Sequence, residues 1–221
     1  MAGRSVARQA GPGGVPEVVV MRLPQYIRVL SSLMAQGVNI VSSQRLGEIL
    51  QVTPAQIRKD LSYFGRFGKQ GRGYRVRHLI MELKEIMGLD RRWNVVLVGV
   101  GRLGRAVLSY PGFAPEGFHV VAAFDADRRI IGRTVGNLKV QPVEELDETV
   151  MERGIGIGIV GVPGPHAQGV VDRLVGAGVK AILNYAPIAA QAPDGVKVRN
   201  VDPVLALQTM TFYLLGEDDE A

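Results

Sequence analysis

The sequence predicts an α/β protein in two parts: a small basic helical domain closed by a β-hairpin, then a larger domain built on a doubly wound parallel sheet. Three observations predict it. Charge divides the chain, since residues 1–90 hold 13 Lys and Arg against 6 Asp and Glu, whereas residues 91–221 hold 13 against 15. Between Arg22 and Phe64, apolar residues recur at helical spacing in three short, separately capped runs. From Asn94 onward, short β-branched runs alternate with helical ones, as in parallel strands joined by crossover helices.

Composition narrows the class. With 47% hydrophobic and 21% charged residues, the 221-residue chain reads as an ordinary globular protein with ample core for two domains. No apolar run approaches the roughly 20 residues of a membrane span, so no membrane partner is expected. The absence of cysteine excludes disulfides and thiolate chemistry. Residues 1–20 lack the apolar centre of a signal peptide and read as a disordered leader, which makes a cytoplasmic location the expectation. The net charge of +5 is concentrated in the first half, which favours an anionic polymer as that half's partner.

Residues 21–88 form the first predicted domain. Arg22-Leu-Pro24 opens a helix with proline near its first turn, carrying Ile27, Leu30 and Leu33 on its apolar stripe and stopping at Gly37. Ser42 or Ser43 caps a second helix with Leu46, Ile49 and Leu50 inward. Thr53-Pro54-Ala55-Gln56 is a capping box with proline at the first helical position. In the helix it starts, Ile57, Leu61 and Phe64 share one face while Arg58, Lys59 and Ser62 project from the other. Two helices joined by this tight turn make a helix-turn-helix, with Thr53–Phe64 as the helix that would enter a major groove. Gly65–Tyr74 then alternates glycine with Arg66, Lys69 and Arg72, a β-hairpin wing turning near Gln70-Gly71. His78–Met87 adds an amphipathic helix ended by Gly88. Cations clustered beside a capped third helix point to double-stranded DNA.

Residues 89–202 form the second. Asn94-Val-Val-Leu-Val-Gly99 is a strand buried on both faces, and it runs into Gly99-Val100-Gly101-Arg102-Leu103-Gly104 and a helix. In this fingerprint the glycines serve a tight turn, close approach of backbone to a pyrophosphate, and close helix–strand packing, while unpaired helix amides face the phosphates. A second strand, Phe118–Phe124, ends on Asp125, 21 residues beyond Gly104, where an acid can accept from a ribose 2′-hydroxyl. Strand, fingerprint, helix, strand and acid in this order predict a Rossmann-type dinucleotide site. Strands follow at Leu138–Val140, Ile155–Ile159, Lys180–Leu183 and Val196–Asn200, with helices at Val143–Glu152 and Ala167–Val175. Ligands in such sheets lie at the carboxyl ends of strands, which adds Val162, Pro163, Asn184 and Tyr185 to the candidates. Asp125 disfavours a 2′-phosphate, although Arg128 and Arg129 stand close by and leave NADP open. Residues 203–221 complete the chain. Pro203–Leu215 is apolar nearly all round, so it is buried either in its own domain or in a partner subunit, and the acidic tail Glu217–Glu220 follows.

These motifs together resemble the bacterial redox-sensing transcriptional repressor Rex family. The stretches that carry the resemblance are Arg22–Leu30, Arg58-Lys-Asp-Leu-Ser-Tyr-Phe-Gly65, Gly71-Arg-Gly-Tyr74, Gly99–Gly104, Phe124-Asp125, Val162-Pro163, Ala167-Gln168, Leu183–Pro187 and Val201-Asp202. The resemblance implies a homodimer of winged-helix and Rossmann subunits with a swapped C-terminal helix. Such a dimer binds a palindromic, A·T-rich operator when NADH is scarce and leaves it when NADH, rather than NAD, is bound. It implies DNA contacts from Arg22, Ser43, Gln56, Arg58, Lys59, Ser62, Lys69, Arg72 and Tyr74. The chain departs from the family at Tyr185, where phenylalanine is usual, and in its Met1–Ala10 leader. The alternative is a nicotinamide-dependent oxidoreductase with a basic N-terminal domain. That reaction needs a proton donor near the nicotinamide, and of the three histidines only His166 falls at a strand's carboxyl end. Too little chain follows the sheet to build a substrate domain, so no enzyme activity is expected.

Overall fold

The computed structural model describes residues 14–69 and 72–215. The turn expected at Gln70-Gly71, most of the leader and the acidic tail lie outside them. Two units divide the chain between Arg91 and Arg92.

In the first unit α1 (Glu17–Ala35) begins five residues before the expected start. Pro24 lies inside the helix instead of near its first turn, and residues 17–20 belong to the helix rather than to a leader. An interior proline costs about 3 kcal/mol. Here the ring is exposed, and the longer helix buries Val19 in line with Leu23, Tyr26, Ile27, Leu30 and Leu33. Next come β1 (Ile40–Val41), α2 (Ser43–Leu50) and α3 (Pro54–Ser62). Ser42, not Ser43, caps α2 by accepting from the Arg45 N–H, and Thr53 caps α3 by accepting from the Gln56 N–H. Gln51 supplies the left-handed residue of the turn, and Gly47 lets α2 close on it, since a Cβ there would stand 2.5 Å from the Val52 carbonyl oxygen. The wing pairs β2 (Gly68–Lys69) with β3 (Gly73–Arg75), and β1 adds to the other side of β3. Finally α4 (Val76–Ile86) turns Leu79, Ile80 and Leu83 into the core shared by all four helices.

The second unit runs β4 (Trp93–Val98), α5 (Arg102–Ser109), β5 (Phe118–Asp125), β6 (Thr134–Val135), β7 (Leu138–Pro142), α6 (Leu146–Glu152), β8 (Ile157–Val160), α7 (Gly164–Gly176), β9 (Ala181–Asn184), β10 (Lys197–Asn200) and α8 (Pro203–Leu215). Strand order is β10-β9-β8-β4-β5-β7-β6, parallel throughout except for the β6–β7 hairpin. Without β6 this is the doubly wound order of two mononucleotide-binding halves, with its switch point between β4 and β8. Alternate residues of β4 serve opposite cores. Val95 and Leu97 pack with Val107 of α5, whereas Val96 and Val98 pack with Leu146 of α6 and Val171 of α7.

A bulge interrupts β5. Val120 pairs with Val95 but Ala122 pairs with Val96, so Val121 is the extra residue and both it and Ala122 pack on the α6–α7 side. The Val121 carbonyl accepts from Arg153 Nη1 at 2.7 Å, and the Arg153 carbonyl in turn accepts from Asn94 Nδ2. Beyond the sheet, Asp202 accepts from the Val204 N–H and starts α8. Along α8, Val204, Leu205, Leu207, Met210, Phe212, Tyr213 and Leu214 are all between 57% and 76% exposed.

Candidate dinucleotide site and nucleic-acid interface

Three glycines of the loop after β4 differ in what surrounds them. Gly99 has φ +97°, and a Cβ there would lie 2.5 Å from the Gly161 carbonyl oxygen and 2.9 Å from Val162 Cγ1. Only glycine lets the ends of β4 and β8 meet this closely. Gly104, in the first turn of α5, faces the Gly99 carbonyl so tightly that no side chain fits. Gly101, which caps α5, would meet nothing within 4 Å. Space is therefore kept open where a pyrophosphate would approach the amides of Arg102 and Leu103, and closed where helix packs on strand.

Asp125 ends β5 against this loop. One carboxylate oxygen accepts from the Val100 N–H at 2.7 Å and the other from the Asp127 N–H at 2.8 Å. A carboxylate has about four lone-pair sites, so two remain for ribose hydroxyls. The residues fit a dinucleotide: a fixed acid, an open glycine and unpaired helix amides lie at one end of the sheet. Val162 and exposed Pro163 continue that edge at the start of α7, and Tyr185, half-buried, follows β9. Asn184 is different. Its buried amide donates to the carbonyls of Ala186 and Ile188 and to Asn200 Oδ1, and accepts from the Ala186 N–H. Expected as a ligand contact, Asn184 here spends its side-chain polar atoms on holding the 184–188 loop in shape. His166 lies exposed in the first turn of α7. Among the described residues no group of three side chains is arranged to hold a metal ion.

The first unit presents α3. Arg58 and Lys59 are exposed on its outer face, and Arg58 donates to the Ser43 hydroxyl of α2 at 3.0 Å. Arg72 is exposed beside the wing turn, while the side chain of Lys69 lies outside the described residues. Tyr74 packs its ring over Gly68 and against the core, and that burial pushes its hydroxyl's pKa up. Several expected contacts are otherwise engaged. Ser62 turns its hydroxyl back onto the Lys59 carbonyl, and Ser43 accepts from Arg58 rather than standing alone.

Arg22 and Gln56 meet at Asp60, a fully buried acid on the inner face of α3. Arg22 Nε and Nη2 donate to its two oxygens at 2.6 and 2.7 Å, Tyr26 donates at 2.6 Å, and Gln56 Nε2 donates at 2.6 Å. Burial alone would push the Asp60 carboxyl up. The hydrogen bonds from Arg22, Tyr26 and Gln56 outweigh it and hold the carboxyl below the usual range. For Tyr26, burial and the bond to Asp60 both raise the pKa. Arg22 and Gln56 thus anchor α3 to α1 from inside, and the DNA contacts expected of them would call on the same polar atoms that Asp60 engages here. The capping box is likewise only half formed, because the Gln56 side chain goes forward to Asp60 instead of back to Thr53. One signal for this cluster was present in sequence: Asp60 stands three residues after Ile57, on the inward phase of the helix.

Known proteins carry the same layout. Residues 14–62 match the family described as "Putative DNA-binding protein N-terminus", and residues 90–188 match the "CoA binding domain". The redox-sensing transcriptional repressor Rex of Roseiflexus sp. is 50% identical, over 93% of this chain and 94% of its own. That of Chloroflexus aggregans is 51% identical over 91% and 95%. A crystal structure of RSP in complex with β-NAD+ and operator DNA superposes with a TM-score of 0.88 at 40% identity, covering 92% of this chain and 94% of that one. The complex of RSP with β-NADH gives 0.84 at 38%, covering 92% and 96%. At half the residues identical over nearly the full length of both chains, the protein belongs to the redox-sensing transcriptional repressor Rex family.

Proposed function

We propose that this chain is a cytoplasmic, homodimeric repressor without enzymatic activity of its own, bound to a palindromic A·T-rich operator when NADH is low and released when NADH binds. One observation carries the reading: a capped helix with exposed Arg58 and Lys59 shares a chain with a glycine loop kept open at Gly101. Lys59, Arg58 and Arg72 contact DNA, with Ser43 setting the Arg58 guanidinium. Gly99–Gly104, Asp125, Val162, Pro163 and Tyr185 line the dinucleotide site. α8 supports the dimer, because seven large apolar side chains exposed on every face are what a second copy would cover.

NADH and NAD differ only at the nicotinamide ring, whereas Asp125 and the glycine loop grip what the two share. Regulation therefore requires NADH to bind the DNA-incompetent arrangement more tightly; a ligand that binds both equally shifts nothing. A full switch from about 1:99 to 99:1 needs roughly 10⁴-fold preference. Two recognition helices reading successive major grooves must stand about 34–36 Å apart, so any arrangement that breaks this spacing releases the operator. Fluorescence anisotropy of labelled operator, titrated across the NADH/NAD ratio at fixed total dinucleotide, tests the reading. Release is expected as NADH rises. Operator binding that ignores the ratio refutes it.

A further inference from the structure

The turn that follows β5 is built by a second acid. The Asp127 backbone N–H is given to the Asp125 carboxylate at 2.8 Å, which ties the turn to the end of β5. Its own carboxylate accepts from the Arg129 N–H at 2.9 Å, and its carbonyl accepts from Ile130 and Ile131, closing a turn. The same carboxylate grips the Arg129 side chain, with Nε at 3.0 and 3.1 Å from its two oxygens and Nη2 at 2.8 Å. These bonds keep Asp127 ionised, its carboxyl held below the usual range by the Arg129 side chain first and its N–H second.

The arginine edge formed by Nε and Nη2 is the one that takes a phosphate in bidentate fashion. In Arg129 that edge is occupied. Arg128, exposed, is the nearest alternative, and Arg133 adds only distant charge. A 2′-phosphate arriving at Asp125 therefore meets a fixed carboxylate, while the arginine that follows in the turn is already paired to Asp127.

We propose that Asp127 is a specificity-determining residue: by occupying the Nε–Nη2 edge of Arg129 in the turn that Asp125 anchors, it makes the site take a dinucleotide with a free ribose 2′-hydroxyl and refuse one with a 2′-phosphate. The proposal rests on the reading of Gly99–Gly104 as a dinucleotide site. Asp127→Asn keeps the oxygen that accepts the Arg129 N–H but removes the charge and loosens the guanidinium. Calorimetric titration of the full chain is expected to show NADPH affinity rising about five- to tenfold relative to NADH, with NADH itself nearly unchanged. Adding Arg129→Ala to that variant should abolish most of the gain. An unchanged NADPH-to-NADH ratio overturns the proposal, and so does an equal loss of both dinucleotides, which would make Asp127 a turn former only. Failure of the dinucleotide reading itself is distinct: the unsubstituted protein would then bind neither.

Discussion

Arg22→Met is the sharpest test of how the DNA-reading unit is held together. The substitution keeps the apolar stem but removes the charge that meets both oxygens of Asp60, a residue with no solvent exposure. Removing one partner of a buried pair costs about 3–5 kcal/mol. The Arg22 side chain is 18% exposed, and Tyr26 and Gln56 still donate to Asp60, so the lower end, about 3 kcal/mol, applies. The pH dependence reverses as well. With Arg22 present the folded carboxyl lies below its unfolded value, so its stabilisation is in force above that value and is lost as pH falls through the folded pKa. Without Arg22, burial dominates and raises the folded pKa. The penalty is then full at neutral pH and shrinks on acidification toward about pH 4, the ordinary range of an unfolded aspartate. Hydrogen exchange resolved by segment measures this. Protection of core α3 amides should fall roughly hundredfold at pH 7, while amides of β4 keep theirs. A change below about fivefold in α3, or an equal loss in β4, would refute the account of Asp60 as the internal anchor.

Three further outcomes follow from the geometry. Gly101→Ala should leave the thermal midpoint within a degree or so yet weaken NADH binding about tenfold or more in calorimetry, whereas Gly104→Ala, which drives a Cβ onto the Gly99 carbonyl, should lower both and cost about 1–3 kcal/mol of stability. Arg58→Ala and Lys59→Ala should each weaken operator binding by about 1–3 kcal/mol if they read bases, or reduce the salt slope by about one if they meet phosphates, with NADH affinity unchanged in gel shift and calorimetry. Deleting Pro203–Ala221 should abolish dimerisation in light scattering together with tight operator binding, while NADH still binds weakly.

What could be read from sequence was whatever is local and periodic. The β4 strand, the Gly99–Gly104 loop, the capped α3 and the all-apolar α8 each announce themselves within a dozen residues. What could not be read depends on distant partners or lacks a period. Arg22 and Asp60 are 38 residues apart, and Asn184 completes its bonding through Asn200 on the neighbouring strand. β1 and β6 are two residues long, too short for alternation to show. Pro24 misled for the same reason. Local chemistry argues for a helix start there, and only the burial of Val19 in the assembled core overrules it.

The bulge in β5 sets which way Asp125 faces. Ahead of it, Phe118 and Val120 lean toward the α5 side of the sheet. Past it, Ala122 and Phe124 lean the other way, which returns Asp125 to the α5 side, where the Val100 amide waits. Straighten the strand with every residue kept and the parity inverts: the acid turns to the opposite face, among the apolar residues beneath α6. The strand thus works as a phase shifter, its first half in step with one core and its second half with the other. Arg153, which holds the displaced Val121 carbonyl, is the catch that keeps the offset in place. A substitution that straightens the strand between Phe118 and Phe124 therefore changes ligand chemistry, although no residue that touches the ligand has changed.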